Sequence, residues 1–165
     1  MTTQALQQYV LDAERAFERQ EWLEGKELLH EALEIEPVYA QAHNHLGWLY
    51  IYHLTDYALA EMHLNLALKY APGYHAPYIH MAQLLFDAGR LDELEALLNK
   101  ATKVTGVQKS FIYNDFGRTQ EVRGRYRKAI SHYKLAARWS FDEREIQTIK
   151  DNIRRCRQKR WMLFW

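Results

Sequence analysis

Eight histidines and one cysteine are the side chains in this 165-residue chain that could hold a metal or act as nucleophiles. His43 and His45 are two apart, so on a helix they point to different faces, and His75 and His80, five apart, suit one face poorly. His45 and His80 can meet only across neighbouring helices. Two neutral imidazoles without a third ligand make a polar lining rather than a zinc site, so no metal is expected. His30-Glu31-Ala32-Leu33-Glu34 matches a zinc-protease helix only at its first two residues and lacks the second histidine. Cys156 stands among Arg154, Arg155 and Arg157, cations that would favour a thiolate. The plainer expectation is a cysteine on a helix surface or packed beneath a terminal helix. No phosphate-binding glycine loop and no nucleophile elbow is present. The chemistry expected is recognition, with no enzyme activity and no cofactor.

The elements that must position these residues repeat. Ala32, Ala67, Ala101 and Ala136 are 35, 34 and 35 residues apart. Ten residues before them stand Trp22, Tyr57, Leu91 and Tyr126; seven before, Gly25, Ala60, Leu94 and Ala129; five after, Pro37, Pro72, Gly106 and Phe141. A period of about 34 residues with helical spacing inside it marks stacked helix pairs. First helices are expected near 4–19, 38–52, 74–88 and 108–122, and second helices near 22–35, 56–70, 91–104 and 126–139. Gly89-Arg90 and Gly124-Arg125 read as turns within pairs. The recurrent Ala and Gly fall where paired helices must approach closely. A ninth helix is expected near 142–160. Ser140 with Glu143 forms a capping box at its start, and Ile146, Ile149 and Ile153 cover the last pair.

Charge is divided along the chain. Residues 1–100 hold 6 Lys/Arg against 15 Asp/Glu, and residues 101–165 hold 16 against 6. In a linear array each unit touches only its neighbours, so an acidic end and a basic end are expected. A single thiol asks for no oxidising compartment, the N-terminus shows no secretory pattern, and no apolar run reaches the ~20 residues of a membrane span. A cytoplasmic location is expected.

Leu46-Gly47-Trp48-Leu49-Tyr50, followed by Ala60, Leu64, Ala67 and Pro72, resembles the tetratricopeptide repeat. Phe116-Gly117, Gly124, Tyr126, Ala129, Tyr133 and Ala136 resemble it again. Met81-Ala82, Leu94, Leu98 and Ala101 do so more loosely, and the first unit does so through Gly25, Leu29, Ala32 and Pro37. The resemblance covers roughly residues 6–141. It implies an all-α, right-handed α-solenoid of four helix-turn-helix repeats (about 4–37, 38–72, 73–106 and 107–141) with a basic capping helix at 142–160. First helices would line a concave groove for a peptide or partner segment. In register, that groove would present Asn44, His45, Trp48, Tyr52, His80, Gln83, Phe86, Asp87, Asn114 and Arg118. Asparagine donates and accepts at once, which suits an extended backbone, and the aromatics suit side-chain anchors. One subset of the family grips a C-terminal carboxylate with Lys, Asn and Arg. Here the matching positions include Val10, Glu14, Asn44, Trp48, His80, Phe111 and Asp115, with almost no cations, so that mode is not expected. A non-catalytic adaptor or chaperone-like scaffold with a protein or peptide partner is.

The basic end supports an alternative. Arg123, Arg125, Arg127, Lys150, Arg154, Arg155, Arg157, Lys159 and Arg160 could meet phosphates, as an anion- or nucleic-acid-binding surface, or an acidic protein. Complementary ends also permit head-to-tail self-association, which salt would weaken. The terminal Trp161-Met162-Leu163-Phe164-Trp165 is costly to leave in water. It would fold back on the last helix, dock on a neighbour, or begin a membrane segment continued beyond this sequence.

Overall fold

The computed structural model describes residues 2–162. Nine α-helices occupy the described residues: α1 Thr2–Glu18, α2 Trp22–Ile35, α3 Ala40–Tyr52, α4 Tyr57–Tyr70, α5 Ala76–Asp87, α6 Leu91–Ala101, α7 Lys109–Val122, α8 Tyr126–Trp139 and α9 Glu143–Met162. They form two compact units, Met1–Leu84 and Leu85–Trp165. In the first, α1 packs on α2, α2 on α3 and α3 on α4; in the second, α6 packs on α7, α7 on α8 and α8 on α9.

The turn between paired helices recurs with the sequence period. Gln20, Thr55, Gly89 and Gly124 all take positive φ. Glycine enters this left-handed region without a Cβ clash. In three of the four turns the residue directly after the positive-φ one donates its N–H back five residues in the Schellman manner, from Glu21 to the Ala16 carbonyl (2.9 Å), Arg90 to Leu85 (2.9 Å) and Arg125 to Gln120 (2.9 Å). After α3 the corresponding bond runs from Leu54 to Leu49 (3.1 Å).

Small residues set how closely each pair packs. Ala32, Ala67, Ala101 and Ala136 are fully enclosed. A Cβ placed on Gly25 would lie 2.2 Å from the Phe17 ring, on Gly47 2.6 Å from Leu64 Cγ, and on Gly117 2.5 Å from the Tyr133 ring. The side chains that fill these contacts are themselves buried.

Between α3 and α4, His43 and His63 form a buried pair. His43 Nε2–H donates to the Pro37 carbonyl (3.0 Å), which leaves its Nδ1 to accept from His63 Nδ1–H (2.9 Å). Burial, reinforced by the neighbouring His43 and His30, pushes His63 down to about 4. Its folded value is thus below the unfolded one, and the unfolded chain binds more protons through the window between them. Stability is full above about pH 6.5 and falls as pH drops toward 4. His63 alone should remove about 2 kcal/mol at about pH 5 relative to about pH 8. Urea denaturation of wild type and His63→Gln at the two pH values measures this: the loss between about pH 8 and about pH 5 should be about 2 kcal/mol smaller in the variant, the other buried histidines keeping the rest. Equal stability at both pH values would contradict it.

α9 begins one residue later than expected, because Asp142 rather than Ser140 caps it. Asp142 Oδ1 accepts from the N–H groups of Arg144 (2.7 Å) and Glu145 (3.1 Å), while the Ser140 hydroxyl bonds Glu145. α9 lies on α8 through Ile149, Ile153 and Cys156, packed with Ala129, Tyr133 and Ala136. Cys156 is fully buried, and burial together with the Glu121 carboxylate pushes its thiol up to about 12. The arginines beside it in sequence therefore do not make it a thiolate.

Candidate functional site

A recess of about 580 Å³ opens in Met1–Leu84. α1 supplies Glu14, Phe17 and Glu18, spaced three and four residues apart on one helix face. Trp22 enters from the start of α2; Asn44, His45 and Trp48 from α3, with His53 just after it; and His80 from α5.

The floor is aromatic. The Phe17 and Trp48 rings are 5.3 Å apart by centroid, Trp22 and Trp48 6.4 Å, and the His53 ring stacks on Trp22 at 3.6 Å. The polar part of the wall is only partly satisfied. Asn44 is 4% exposed; its Nδ2 reaches the Tyr74 hydroxyl at 3.4 Å, and its Oδ1 is buried with no partner among the described residues. His80 Nδ1 is likewise buried and unpaired. Burial and the nearby His45 hold His80 down at about 4, so it is neutral at pH 7. His45 faces acceptors on both sides, the Gln41 carbonyl (2.8 Å) and Glu14 (2.9 Å). Orphaned buried polar atoms are costly, and a ligand that pairs them recovers that cost.

Asn44, His45, Trp48 and His80, chosen from register, thus line one recess. Tyr52 is exposed, lies tilted against Trp48 at 6.1 Å between centroids and meets His80 edge-on. Gln83, Phe86 and Asp87 lie farther along α5 and are not among the recess residues. In the second unit the Arg118 guanidinium lies 3.8 Å over the Phe86 ring and donates to Asp115 (3.0 Å). Asn114 is half-buried, with its Oδ1 unpaired. Glu121, near the end of α7, is buried against α8 and α9. It accepts from the Tyr133 hydroxyl (2.9 Å), from Arg155 in bidentate fashion (2.7 and 2.8 Å) and from Lys159 (2.9 Å). Burial pushes its carboxyl up, but these hydrogen bonds outweigh burial and hold it at about 2.

Several residues of the expected basic surface are ion-paired. Arg155 and Lys159 are committed to Glu121, Arg154 to Asp151, and Arg123 to Asp92 and Glu95. Only the Glu121 carboxylate is buried among these acceptors; Asp92 and Asp151 are exposed, and Arg154, Arg155 and Lys159 keep much of their side chains in solvent. Arg125, Arg127, Lys150 and Arg157 remain exposed, and Arg160 is half-buried. At the chain end Trp161 and Met162 are 66% and 75% exposed, and residues 163–165 lie outside the described part. No described helix is long and apolar enough to cross a membrane. Phe17, Glu18, Trp22 and His53 were not among the expected site residues; the one available signal was the Glu14–Phe17–Glu18 spacing ahead of Trp22.

No family model and no curated protein matches the sequence significantly. Solved structures do. PilF of Pseudomonas aeruginosa superposes with a TM-score of 0.80 at 19% identity, covering 96% of this chain and 74% of that one. The chain has the tetratricopeptide-repeat fold. Two further tetratricopeptide structures match. PilW, a type IV pilus biogenesis factor, gives a TM-score of 0.73 at 16% identity, over 94% of this chain and 79% of that one. MamA (AMB-1) gives 0.65 at 21% identity, over 78% and 69%. In tetratricopeptide terms, the recess is built from the first helices of three successive pairs, α1, α3 and α5.

Proposed function

We propose that the chain is a non-catalytic interaction scaffold that holds a peptide or extended segment of a protein partner, with the recess of Met1–Leu84 as its principal site. The observation that carries this reading is Asn44, nearly enclosed yet with Oδ1 unpaired, at the wall of an aromatic recess. Such a group suits a backbone N–H of an extended segment, while Trp48 and Trp22 offer area for a side chain. The fold shared with PilF, PilW and MamA supports a scaffold over an enzyme.

The test is affinity capture from native lysate with wild type, Asn44→Ala and, separately, Asn114→Ala. Asn44→Ala is expected to melt within a few degrees of wild type and to lose a specific protein that wild type retains. A folded Asn44→Ala variant that captures the same proteins at the same yield would contradict the reading. Binding of acidic proteins or nucleic acid at the basic end is the alternative. It rests on Arg125, Arg127, Lys150 and Arg157, and would show as capture that salt abolishes and Asn44→Ala does not touch.

A further inference from the structure

The recess combines three features that together select a ligand chemistry. Its floor is formed by Trp22, Trp48 and Phe17, with Trp48 tilted against the other two and one face of Trp22 covered by His53. Its rim carries two carboxylates, Glu14 and Glu18. Its wall holds buried, unpaired polar atoms, Asn44 Oδ1 and His80 Nδ1, and His80 is neutral at pH 7. Aromatic faces attract cations, carboxylates do so at longer range, and unpaired acceptors ask for N–H donors. Nearby guanidiniums are occupied elsewhere: Arg15 pairs with Asp12, and Arg19 with Glu21 and Glu24. The whole of residues 1–100 carries the acidic excess.

We propose that this recess receives the side chain of an arginine on the partner peptide, its guanidinium stacked on the Trp22–Trp48 floor and donating to Asn44 and to the Glu14–Glu18 rim. A guanidinium fits better than an ammonium because it is planar, stacks on indole, and presents five donors in a fixed fork to acceptors on several sides. His45 Nε2 lies 2.9 Å from the Glu14 carboxylate, so a ring N–H is already accepted there; the arginine shares that carboxylate. The proposal rests on the scaffold reading above and names the partner's chemistry.

The test uses the full chain labelled with ¹⁵N and the peptide acetyl-Gly-Arg-Gly-amide, with its citrulline and lysine counterparts as controls. Citrulline keeps the shape and loses the charge. The indole N–H resonances of Trp22 and Trp48 should shift saturably with the arginine peptide, and those of Trp139 and Trp161 should not. Affinity should fall about tenfold for citrulline and by a similar factor in a Glu14→Gln/Glu18→Gln variant, whose exposed substitutions leave the fold intact. Equal affinity for arginine and citrulline, or for arginine and lysine, would overturn the proposal. So would the absence of any shift at Trp22 and Trp48, or their shifting with protein concentration alone, which would give the recess to a second copy of the chain. The two readings separate cleanly. Capture that depends on Asn44 but is undiminished in Glu14→Gln/Glu18→Gln removes the arginine and leaves the scaffold; capture indifferent to Asn44 removes the scaffold itself.

Discussion

Glu121→Ala should cost about 3 kcal/mol of stability and loosen α9 from α8. Glu121 is 7% exposed and gathers three donors, the Tyr133 hydroxyl, the Arg155 guanidinium and the Lys159 ammonium. Without the carboxylate, the Tyr133 hydroxyl is left buried and unpaired, and two cations lose the group that draws them across the helix interface. Two measurements check this. Urea denaturation should show the loss directly. Alkylation of Cys156, slow in the wild type because the thiol is buried and held up at about 12, should accelerate strongly as α9 opens. The same carboxylate adds an acid limb to stability. Its folded value of about 2 lies below the usual 4.5, so its contribution is complete above about pH 4.5 and is lost as pH falls toward 2. That window lies below the one set by His63, and the two variants should flatten different parts of the stability curve. A Glu121→Ala protein as stable as wild type, with Cys156 equally slow, would contradict the role given to this residue.

Gly117→Val should destabilise the second unit by about 3 kcal/mol. A Cβ at this position lies 2.5 Å from Tyr133 Cδ1 and 2.6 Å from Cε1, before the two added methyls are placed. Tyr133 cannot move aside, since its ring is fully buried and its hydroxyl is held by Glu121. The two substitutions should therefore couple. In the Gly117→Val/Glu121→Ala double variant the tyrosine is released, so the combined loss should fall short of the sum of the single losses. Strict additivity in a double-mutant cycle would show that Tyr133 is not the link between them.

The helices were legible because the features that define them recur: small residues at the close contacts and a left-handed residue at each intrapair turn. Even where Gln20 and Thr55 replace glycine, the turn keeps its place in the period. The start of α9 was less legible, since Ser140 and Asp142 are both capping residues and only the geometry shows which one accepts the helix N–H groups. Asn44, His45, Trp48 and His80 could be found from register along successive first helices. Phe17 and Glu18 could not, because the first helix of the first unit lacks the Leu-Gly-x-x-Tyr landmark of the second, and Trp22 and His53 could not, because they stand at the start of α2 and just after α3, outside the first-helix register. The burial of Glu121 was hidden for a different reason. Its partners, Arg155 and Lys159, stand 34 and 38 residues away on a helix outside the repeat, and periodicity carries no information about such a pair.

The most direct test of the central claim is hydrogen–deuterium exchange of the full chain alone and in complex with the protein captured through Asn44. If the recess is the binding site, protection on binding should concentrate in the C-terminal half of α1, the first turn of α2, and α3, the segments that carry Phe17, Trp22 and Trp48. Protection confined to α8 and α9, with those segments unchanged, would place the partner at the basic end and contradict the account.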